Sequence, residues 1–298
     1  MEQLQVVKLI SCPICESKDI NSFIICCDHS CSKHDFNLDK CNSCGFVFTN
    51  PRPTEETNGL YYKFDDYISH TNSSNGITGS IYRFVRKLNL KRKFKVLSKH
   101  NCGNKVLDVG CGTGFFPKYL MAKGYNVTGL EPDADARKFA VEVNKINALP
   151  LDALNKLESK FNCITMWHVL EHVYHLRIQL STLTSLVAPG GIFVIALPNY
   201  KCYDAKHYGK FWAGYDVPRH LYHFDEETIT SLMSKYNFEK IEVIPMKFDA
   251  YYVSLLSQKH MGKPSKTLGY RIGRLSNKLA NKKQYPYSSQ IYVFKNKH

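Results

Sequence analysis

The sequence predicts an α/β protein with a doubly wound, mostly parallel, seven-stranded Rossmann-like sheet, preceded by a small zinc ribbon. From residue 105 onward, apolar segments of strand length alternate with segments of helical periodicity, the pattern of a parallel sheet with crossover helices. The first of these strands runs directly into a glycine turn at 110–114. Two C-x-x-C pairs, at 12–15 and 41–44, precede this region and indicate the ribbon.

Length and composition limit what surrounds this sheet. The chain has 298 residues, 44% of them hydrophobic, enough for one α/β domain of ordinary size and a small appendage. We find no apolar run long enough for a transmembrane helix and no signal-peptide pattern, so we expect a cytoplasmic location. Cysteines stay reduced there, so paired cysteines indicate metal binding rather than disulfides. The oligomeric state stays open.

The chain divides into three predicted parts. Residues 1–50 form the ribbon, residues 51–100 form a linker or lid with a basic helical segment, and residues 101–298 form the α/β domain. This last part includes a basic helical insert near 250–286. About forty residues separate its final two strands, and we expect them to build a helical cap near the site.

Individual elements follow from the periodicity of each segment. The predicted strands lie at 105–109, 126–130, 146–149, 162–167, 191–197, 238–246 and 288–295. The predicted helices lie at 115–123, 134–144, 171–187 and 225–236. Helical spacing also runs through the basic segment 81–99.

The net charge of +14 is concentrated in two runs that lack acidic residues, 83–99 and 259–283. Such runs bind nucleic acid, anionic lipid or an anionic substrate. The alternative is that each run is the solvated face of a helix in a basic protein.

The two cysteine pairs predict a structural zinc site. Cys12, Cys15, Cys41 and Cys44 form two C-x-x-C knuckles, and four thiolates in two such pairs close a tetrahedral site. Gly45 permits the tight turn after the second knuckle. The ribbon is too small to bury a core alone, so we expect the metal to supply its folding energy.

The glycine turn predicts a nucleoside cofactor. Asp108 ends the strand before it, and Gly110, Gly112 and Gly114 let the backbone turn and a ligand approach. Glu131 ends the next strand, from which a carboxylate can hold both ribose hydroxyls. The spacing is not that of a dinucleotide site, and a carboxylate at 108 suits the amino group of S-adenosylmethionine better than a pyrophosphate. The alternative is a turn that only joins strand to helix.

Further residues at the predicted strand ends complete the cofactor site. Cys111 lies within the turn, and Pro132 follows the second carboxylate. Asp152 and His168 follow later strands, and Trp167 is the last residue of the strand at 162–167. Asp152 stands where a carboxylate accepts a hydrogen bond from an adenine amino group, or else it caps a helix in solvent.

Residues 107–114, together with Glu131, resemble the first two motifs of the class I S-adenosylmethionine-dependent methyltransferases. The resemblance covers roughly residues 80–298 and implies both the sheet and the cofactor. In that family a short hairpin usually joins the last two strands. The insert of this chain departs from that pattern, so the resemblance leaves the substrate open.

Residues 166–173 resemble the fourth motif of the ubiquinone-biosynthesis O-methyltransferases. Glu171 and His172 match the Glu-His pair of that motif, whereas His168 stands where that group has glutamate. The resemblance implies that these side chains bind a divalent cation that orients the acceptor hydroxyl. The alternative is that Glu171 and His172 only begin a helix. The same H-x-x-E-H also matches an inverted zinc-protease signature, which its position at a strand end disfavours.

Histidines provide the candidate base for an acceptor that loses a proton. Histidine suits proton transfer near neutral pH, and a nearby base accelerates such a step by roughly 10²–10⁴. We predict His220 as that base, with His168 and His172 as the other candidates. The alternative is that these histidines are held in loops by backbone hydrogen bonds.

The substrate is predicted to bind beside the segment 216–224, which follows an aromatic loop at 200–215. Class I enzymes usually bind acceptors in this region. Arg219 is predicted to pair with a carboxylate or phosphate of the substrate, and Tyr222 and His223 to line the same site.

These observations favour an S-adenosylmethionine-dependent methyltransferase that acts on a small molecule at oxygen by in-line displacement. Most catalysis would then be positioning and exclusion of water, because a sulfonium is already an activated leaving group. The ribbon resembles those of sugar C-methyltransferases and of bacterial rRNA guanine methyltransferases. With the charge of +14 it keeps an RNA methyltransferase as an alternative. A second alternative is a zinc-ribbon binding protein without turnover.

Overall fold

The computed structural model describes residues 5–62, 77–100, 103–262 and 264–298, with only the backbone described at 77–85. The predicted lid falls largely on 63–76, outside the described residues. The strands are β1 (Val6–Val7), β2 (Ile20–Cys27), β3 (Asp35–Cys41), β4 (Val47–Thr49), β5 (Arg52–Pro53), β6 (Lys105–Val109), β7 (Asn126–Leu130), β8 (Asn147–Leu149), β9 (Phe161–Trp167), β10 (Val187–Pro198), β11 (Tyr222–His223), β12 (Phe238–Pro245) and β13 (Ser289–Asn296). The helices are α1 (Glu55–Asn58), α2 (Ile77–Lys99), α3 (Phe115–Met121), α4 (Ala134–Glu142), α5 (Leu176–Ser185), α6 (Tyr203–Tyr208), α7 (Glu226–Ser234), α8 (Asp249–His260) and α9 (Lys266–Asn281).

Seven strands form the central sheet in the order β12-β13-β10-β9-β6-β7-β8. Neighbours from β10 to β8 pair in parallel, whereas β13 is antiparallel to both β10 and β12. The predicted doubly wound, mostly parallel, seven-stranded sheet is therefore confirmed. Its central strands are buried on both faces, because α3, α4 and α5 follow β6, β7 and β9 as crossovers.

The predicted helix at 171–187 is shorter than expected. Leu170–His172 form a 3₁₀ turn, and α5 begins only at Leu176. The carbonyl of Glu171 accepts a hydrogen bond from the Leu221 amide at 2.8 Å. This carbonyl is therefore bonded to the segment that contains Leu221 and not to an amide of a helix that begins at 171. The turn holds the 171–172 side chains beside the segment that contains His220.

The ribbon shares its sheet with a segment from the far end of the sequence. This sheet has the order β11-β4-β3-β2, and Tyr222 and His223 of β11 pair with Phe48 and Val47 of β4. Phe46 and Phe48 belong to the same apolar core as the central strands. The ribbon is thus packed directly against the α/β sheet.

The insert between β12 and β13 is a hairpin of two helices, α8 and α9. Small residues allow their close packing, because a Cβ at Gly273 would lie 2.7 Å from the Ala250 carbonyl oxygen. The buried carboxylate of Asp204 anchors the hairpin by accepting hydrogen bonds from Ser276 and Ser288 at 2.7 and 2.5 Å. Among the described residues, no helix has both the length and the apolar character needed to cross a bilayer.

Candidate active site

The glycine turn leaves open space on one side. Gly110, Gly112 and Gly114 have φ values of +68°, +55° and +80°, in the left-handed region that favours glycine. A Cβ at Gly110 would meet Val169 at 2.4 Å, and one at Gly114 would meet Ile146 at 2.9 Å. A Cβ at Gly112 would meet nothing within 4 Å. The first and third glycines therefore serve close packing, and Gly112 borders space that a ligand can fill.

Two carboxylates flank this turn at the ends of neighbouring parallel strands. Asp108 of β6 is buried, accepts a hydrogen bond from Thr165 Oγ1 at 2.5 Å, and has its pKa raised to about 6 by burial. Glu131 follows β7 and accepts from the amides of Gly112 at 2.7 Å and Asp133 at 2.9 Å. One carboxylate lies beneath the turn, and the other is hydrogen-bonded to the turn itself.

The other predicted cofactor residues differ in exposure. Cys111 is buried, and its Sγ would lie 2.5 Å from a Cβ at Gly129. Pro132 is exposed, and Asp152 is exposed in the 3₁₀ turn that follows β8. Trp167 ends β9, is buried, and its Nε1 has no hydrogen-bond partner within the described ranges. An unsatisfied indole N–H of this kind is available to a ligand that accepts a hydrogen bond.

Lys93 of α2, which the sequence indicates only as part of a basic run, is a site residue. Its Nζ lies 4.7 Å from the ring centroid of Trp167 and 5.3 Å from that of Phe116. Burial lowers the pKa of Lys93 to about 8, although the charges of Asp108 and Asp249 oppose that shift. A cation thus faces the carboxylate beneath the glycine turn.

His168 lies between two carboxylates. Its Nδ1 is 3.3 Å from Glu171 Oε1, and its Nε2 is 3.4 Å from Asp249 Oδ2. Burial alone would lower the pKa of His168, but these two contacts outweigh it and raise the pKa to about 10. His168 is therefore an imidazolium at neutral pH, and this geometry contradicts its prediction as a base.

Asp249 was missed, although one signal could have found it: it is the only acidic residue between 247 and 288. It lies at the start of α8, so the basic insert contributes this carboxylate to the site.

Glu171, His172 and His220 form a compact cluster in the part of the chain that the structure describes. One potential ligand atom from each lies within 4.8 Å of the others. His172 Nδ1 is 3.0 Å from the Arg219 carbonyl oxygen, and His220 Nδ1 is 3.0 Å from that of Gly214. A carbonyl oxygen only accepts, so we assign the proton of each ring to Nδ1. Each Nε2 then keeps its lone pair.

The charge state of this cluster follows from its burial. Burial and the neighbouring His172 lower the pKa of His220 to about 4, so His220 is neutral above that pH. Burial of Glu171 would raise its pKa, but His168, His172 and His220 together lower the pKa of this carboxyl group. Its Oε2 has no hydrogen-bond partner among the described residues. The cluster therefore presents one unsatisfied carboxylate oxygen and two imidazole nitrogens.

The structure corrects the prediction for Arg219, which does not face an open substrate site. Its side chain donates hydrogen bonds to Asp28 of the ribbon at 3.1 Å, to Asp216 at 2.6 Å and to the Tyr61 carbonyl at 3.1 Å. Arg219 is only 3% exposed, and Asp28 is fully buried. The guanidinium fastens the ribbon to the α/β domain.

Tyr222 and His223 are corrected for the same reason. The Tyr222 hydroxyl accepts from Arg52 Nη1 at 2.9 Å, and His223 Nε2 lies 3.3 Å from Thr49 Oγ1. Both residues are buried, and both pair with β4 in the ribbon sheet. The aromatic loop before them, with Trp212, belongs to the apolar cluster that packs on the ribbon.

The four knuckle cysteines come together in the ribbon. Their Sγ atoms all lie within 4.8 Å of one another, with Cys12–Cys44 and Cys15–Cys41 both at 3.5 Å. Zinc–sulfur bonds of about 2.3 Å in a tetrahedron separate the sulfurs by roughly 3.7 Å, so the donor set and its dimensions fit zinc. Gly45, with φ +75°, donates its amide hydrogen to the Cys41 carbonyl at 2.8 Å and closes the second knuckle.

Comparison with known sequences identifies relatives of this chain. Over 97 residues, the chain is 37% identical to the ubiquinone biosynthesis O-methyltransferase of Cronobacter sakazakii. The aligned region covers 30% of this chain and 40% of that protein. The chain is also 32% identical over 117 residues to the mitochondrial ubiquinone biosynthesis O-methyltransferase of Schizosaccharomyces pombe. That alignment covers 34% of this chain and 41% of the relative. The match thus spans about two-fifths of the length of these curated relatives.

Comparison with solved structures supports the fold. Magnesium protoporphyrin IX methyltransferase from Synechocystis PCC 6803, solved with bound S-adenosylhomocysteine, aligns with a TM-score of 0.53 at 16% identity. The alignment covers 81% of this chain and all of that chain. A family profile described as a methyltransferase domain matches residues 82–243, just over half of the sequence. The chain therefore belongs to this methyltransferase domain family.

Proposed function

We propose that this protein transfers a methyl group from S-adenosylmethionine to an oxygen of a small-molecule acceptor. The observation that carries the proposal is the pair of carboxylates around the glycine turn, with Asp108 buried beneath it and Glu131 bonded to the Gly112 amide. Family membership and the ubiquinone O-methyltransferase relatives support the same chemistry.

The residues around the turn fit S-adenosylmethionine. Glu131 suits the ribose hydroxyls, Asp108 suits the amino group, and the space beside Gly112 admits the ligand without meeting a Cβ. When bound, the cofactor supplies a methyl group on an activated sulfonium. The side chains of this chain then orient the acceptor and exclude water.

His220 is the residue that we assign as base. Its Nδ1–H donates to the Gly214 carbonyl, which fixes the ring and leaves the Nε2 lone pair for the acceptor proton. A pKa near 4 keeps this nitrogen unprotonated at physiological pH. His172 is held in the same way by the Arg219 carbonyl and lies beside His220, with the ring centroids 4.6 Å apart.

A divalent cation at the same cluster is a second proposal, supported by the unpartnered Oε2 of buried Glu171. Glu171, His172 and His220 would hold the cation, which would act as a Lewis acid on the acceptor oxygen. His220 would then be a ligand instead of the base. Chelation distinguishes the two roles as long as one zinc ion per chain stays bound to the ribbon. Only the cation-dependent reaction then stops when the chelator is added and resumes when the divalent cation is restored.

The ribbon holds one structural zinc ion through Cys12, Cys15, Cys41 and Cys44. No disulfide joins any of the ten cysteines among the described residues, which suits a reducing compartment such as the cytoplasm.

A transfer assay with tritiated methyl-S-adenosylmethionine tests the proposed function. Purified protein is incubated with a panel of phenolic and other hydroxylated small molecules, and in parallel with total RNA. We expect label in the small-molecule fraction, strongly reduced in Asp108→Asn at limiting cofactor and retained in the control Asp135→Asn, an exposed residue of α4. Label recovered in RNA would instead favour the alternative of an RNA methyltransferase. No label in any acceptor, despite cofactor binding, would favour a binding protein.

A further inference from the structure

The helical hairpin of the insert has an outward surface that the proposed reaction does not use. Five large apolar side chains on or beside α8 and α9 are 36–54% exposed: Phe248, Leu255, Met261, Leu268 and Tyr270. Side chains scattered singly over a surface would need no explanation, but these share one hairpin.

The two helices bring these apolar side chains together. A Cβ at Gly269 would lie 3.0 Å from Leu255 Cα, so Leu255 lies against the helix segment that carries Leu268 and Tyr270. The ring of Tyr270 also stacks on Tyr251 of α8, with centroids 4.9 Å apart. Tyr251, Leu255 and Tyr270 therefore form a small apolar patch across both helices, and Leu268, two positions before Tyr270, flanks this patch on the other side of α9.

Basic residues surround this patch. Residues 247–288 contain nine lysines and arginines but a single acidic residue, Asp249, which contacts His168 at 3.4 Å. Arg271, Arg274 and Lys278 are exposed along α9. Arg92 of α2 lies 4.0 Å from the ring centroid of Phe248, so the first basic run adjoins the hairpin as well.

We propose that the α8–α9 hairpin docks the protein on an anionic phospholipid bilayer, with its apolar side chains at the headgroup boundary and its lysines and arginines on the lipid phosphates. The charge of the hairpin complements such a surface. Exposed leucine and methionine beside aromatic rings and cations are typical of helices that lie in the membrane interface, whereas single-stranded RNA is bound mainly by aromatic and cationic groups. This binding does not depend on methyl transfer, so either proposal can fail alone.

Flotation of the full-length protein with phosphatidylcholine vesicles, with or without one-third phosphatidylglycerol, tests the proposal. We expect wild-type protein to float with the anionic vesicles and to remain unbound with the neutral ones. The double variant Arg274→Glu/Lys278→Glu should lose at least about tenfold in partitioning, because each basic residue near an anionic surface contributes about fivefold. Met261→Ser/Leu268→Ser should lose about threefold or more, because it removes apolar contact area.

Lys138→Glu/Lys156→Glu is the matched control. Both lysines are exposed near β7 and β8, at the opposite edge of the central sheet from β12 and β13, which bracket the hairpin. We expect this variant to float like wild type, and thermal melting to verify that all variants are folded.

Three results would overturn the proposal. An equal loss in the control would mean diffuse attraction by a basic protein, and no loss in Met261→Ser/Leu268→Ser would exclude apolar docking. Displacement of the protein from vesicles by a single-stranded RNA oligonucleotide, with RNA binding lost in Arg274→Glu/Lys278→Glu, would assign the surface to RNA.

Discussion

Two histidines of the candidate site have opposite charge states at neutral pH. His168 contacts Glu171 and Asp249, which raise its pKa to about 10, whereas burial beside His172 lowers the pKa of His220 to about 4. One ring is therefore a fixed cation and the other a neutral acceptor. Divergent pKa values of this kind separate a residue that stabilises charge from one that takes a proton.

Replacing His220 with alanine should lower the turnover number by about 10²–10⁴ and leave affinity for S-adenosylhomocysteine unchanged. At saturating S-adenosylmethionine, where protonation of Asp108 does not limit the rate, the acid limb of turnover against pH should lie near pH 4 in the wild-type enzyme, because the base form of His220 persists down to its lowered pKa. Steady-state rates and calorimetry measure both quantities.

His175→Ala is the control for that substitution, since His175 is exposed and pairs with Glu55 at 2.9 Å. Full turnover in His220→Ala with the true acceptor, or an acid limb near pH 6.5 at saturating S-adenosylmethionine, would exclude His220 as the base.

The sequence predicted some site residues and not others for a physical reason. Asp108 and Glu131 follow buried strands, and parallel strands end at a common edge, so periodicity alone brings them together. Lys93 and Asp249 reach the site from helices whose packing no local pattern specifies. The prediction for Arg219 was wrong for a different reason. The residue type indicates a group that binds an anion, but the anion that it binds is Asp28 of the same chain and not a substrate.

At the level of elements, β11 determines how the ribbon is attached. The long elements have strong period-2 or period-3.6 patterns, and their predicted positions agree with the structure to within a few residues, except that the helix predicted at 171–187 begins only at Leu176. The two-residue strand β11 has no detectable pattern, and its pairing with β4 joins residues that lie 174 and 176 positions apart. Because of that pairing, Tyr222 and His223 lie in a buried interface and not in the predicted acceptor site.

Arg219→Ala should reduce the free energy of unfolding by about 3–5 kcal/mol, because it leaves the buried carboxylate of Asp28 without its cation. Arg177→Ala is the matched control, since Arg177 also pairs with a ribbon residue, Glu16, but in an exposed position. We expect the control to cost less than about 1 kcal/mol. Denaturant titration measures both values. Similar small losses in the two variants would contradict the role of Arg219 at the interface.

At the level of the whole molecule, metal binding and core packing are coupled. Cys12 and Cys41 belong to the same apolar core as Leu107 and Phe193 of the central sheet. A change in the metal site should therefore reach the α/β domain through packing as well as through the β4–β11 pairing.

The purified protein should contain one zinc ion per chain by plasma mass spectrometry, and Cys44→Ser should lose it and melt at a lower temperature in a single transition. Cys27→Ser is the control, because Cys27 lies outside the four-cysteine cluster. An early, separate transition of small amplitude in Cys44→Ser would mean that the ribbon unfolds independently of the α/β domain.

The most direct measurement is calorimetric titration of the folded protein with S-adenosylhomocysteine. We predict binding at one site per chain, weakened about tenfold or more in Asp108→Asn, because that substitution removes the charge beneath the glycine turn. Absence of binding to protein that still shows a cooperative melting transition, or equal affinity in Asp108→Asn, would contradict the cofactor site.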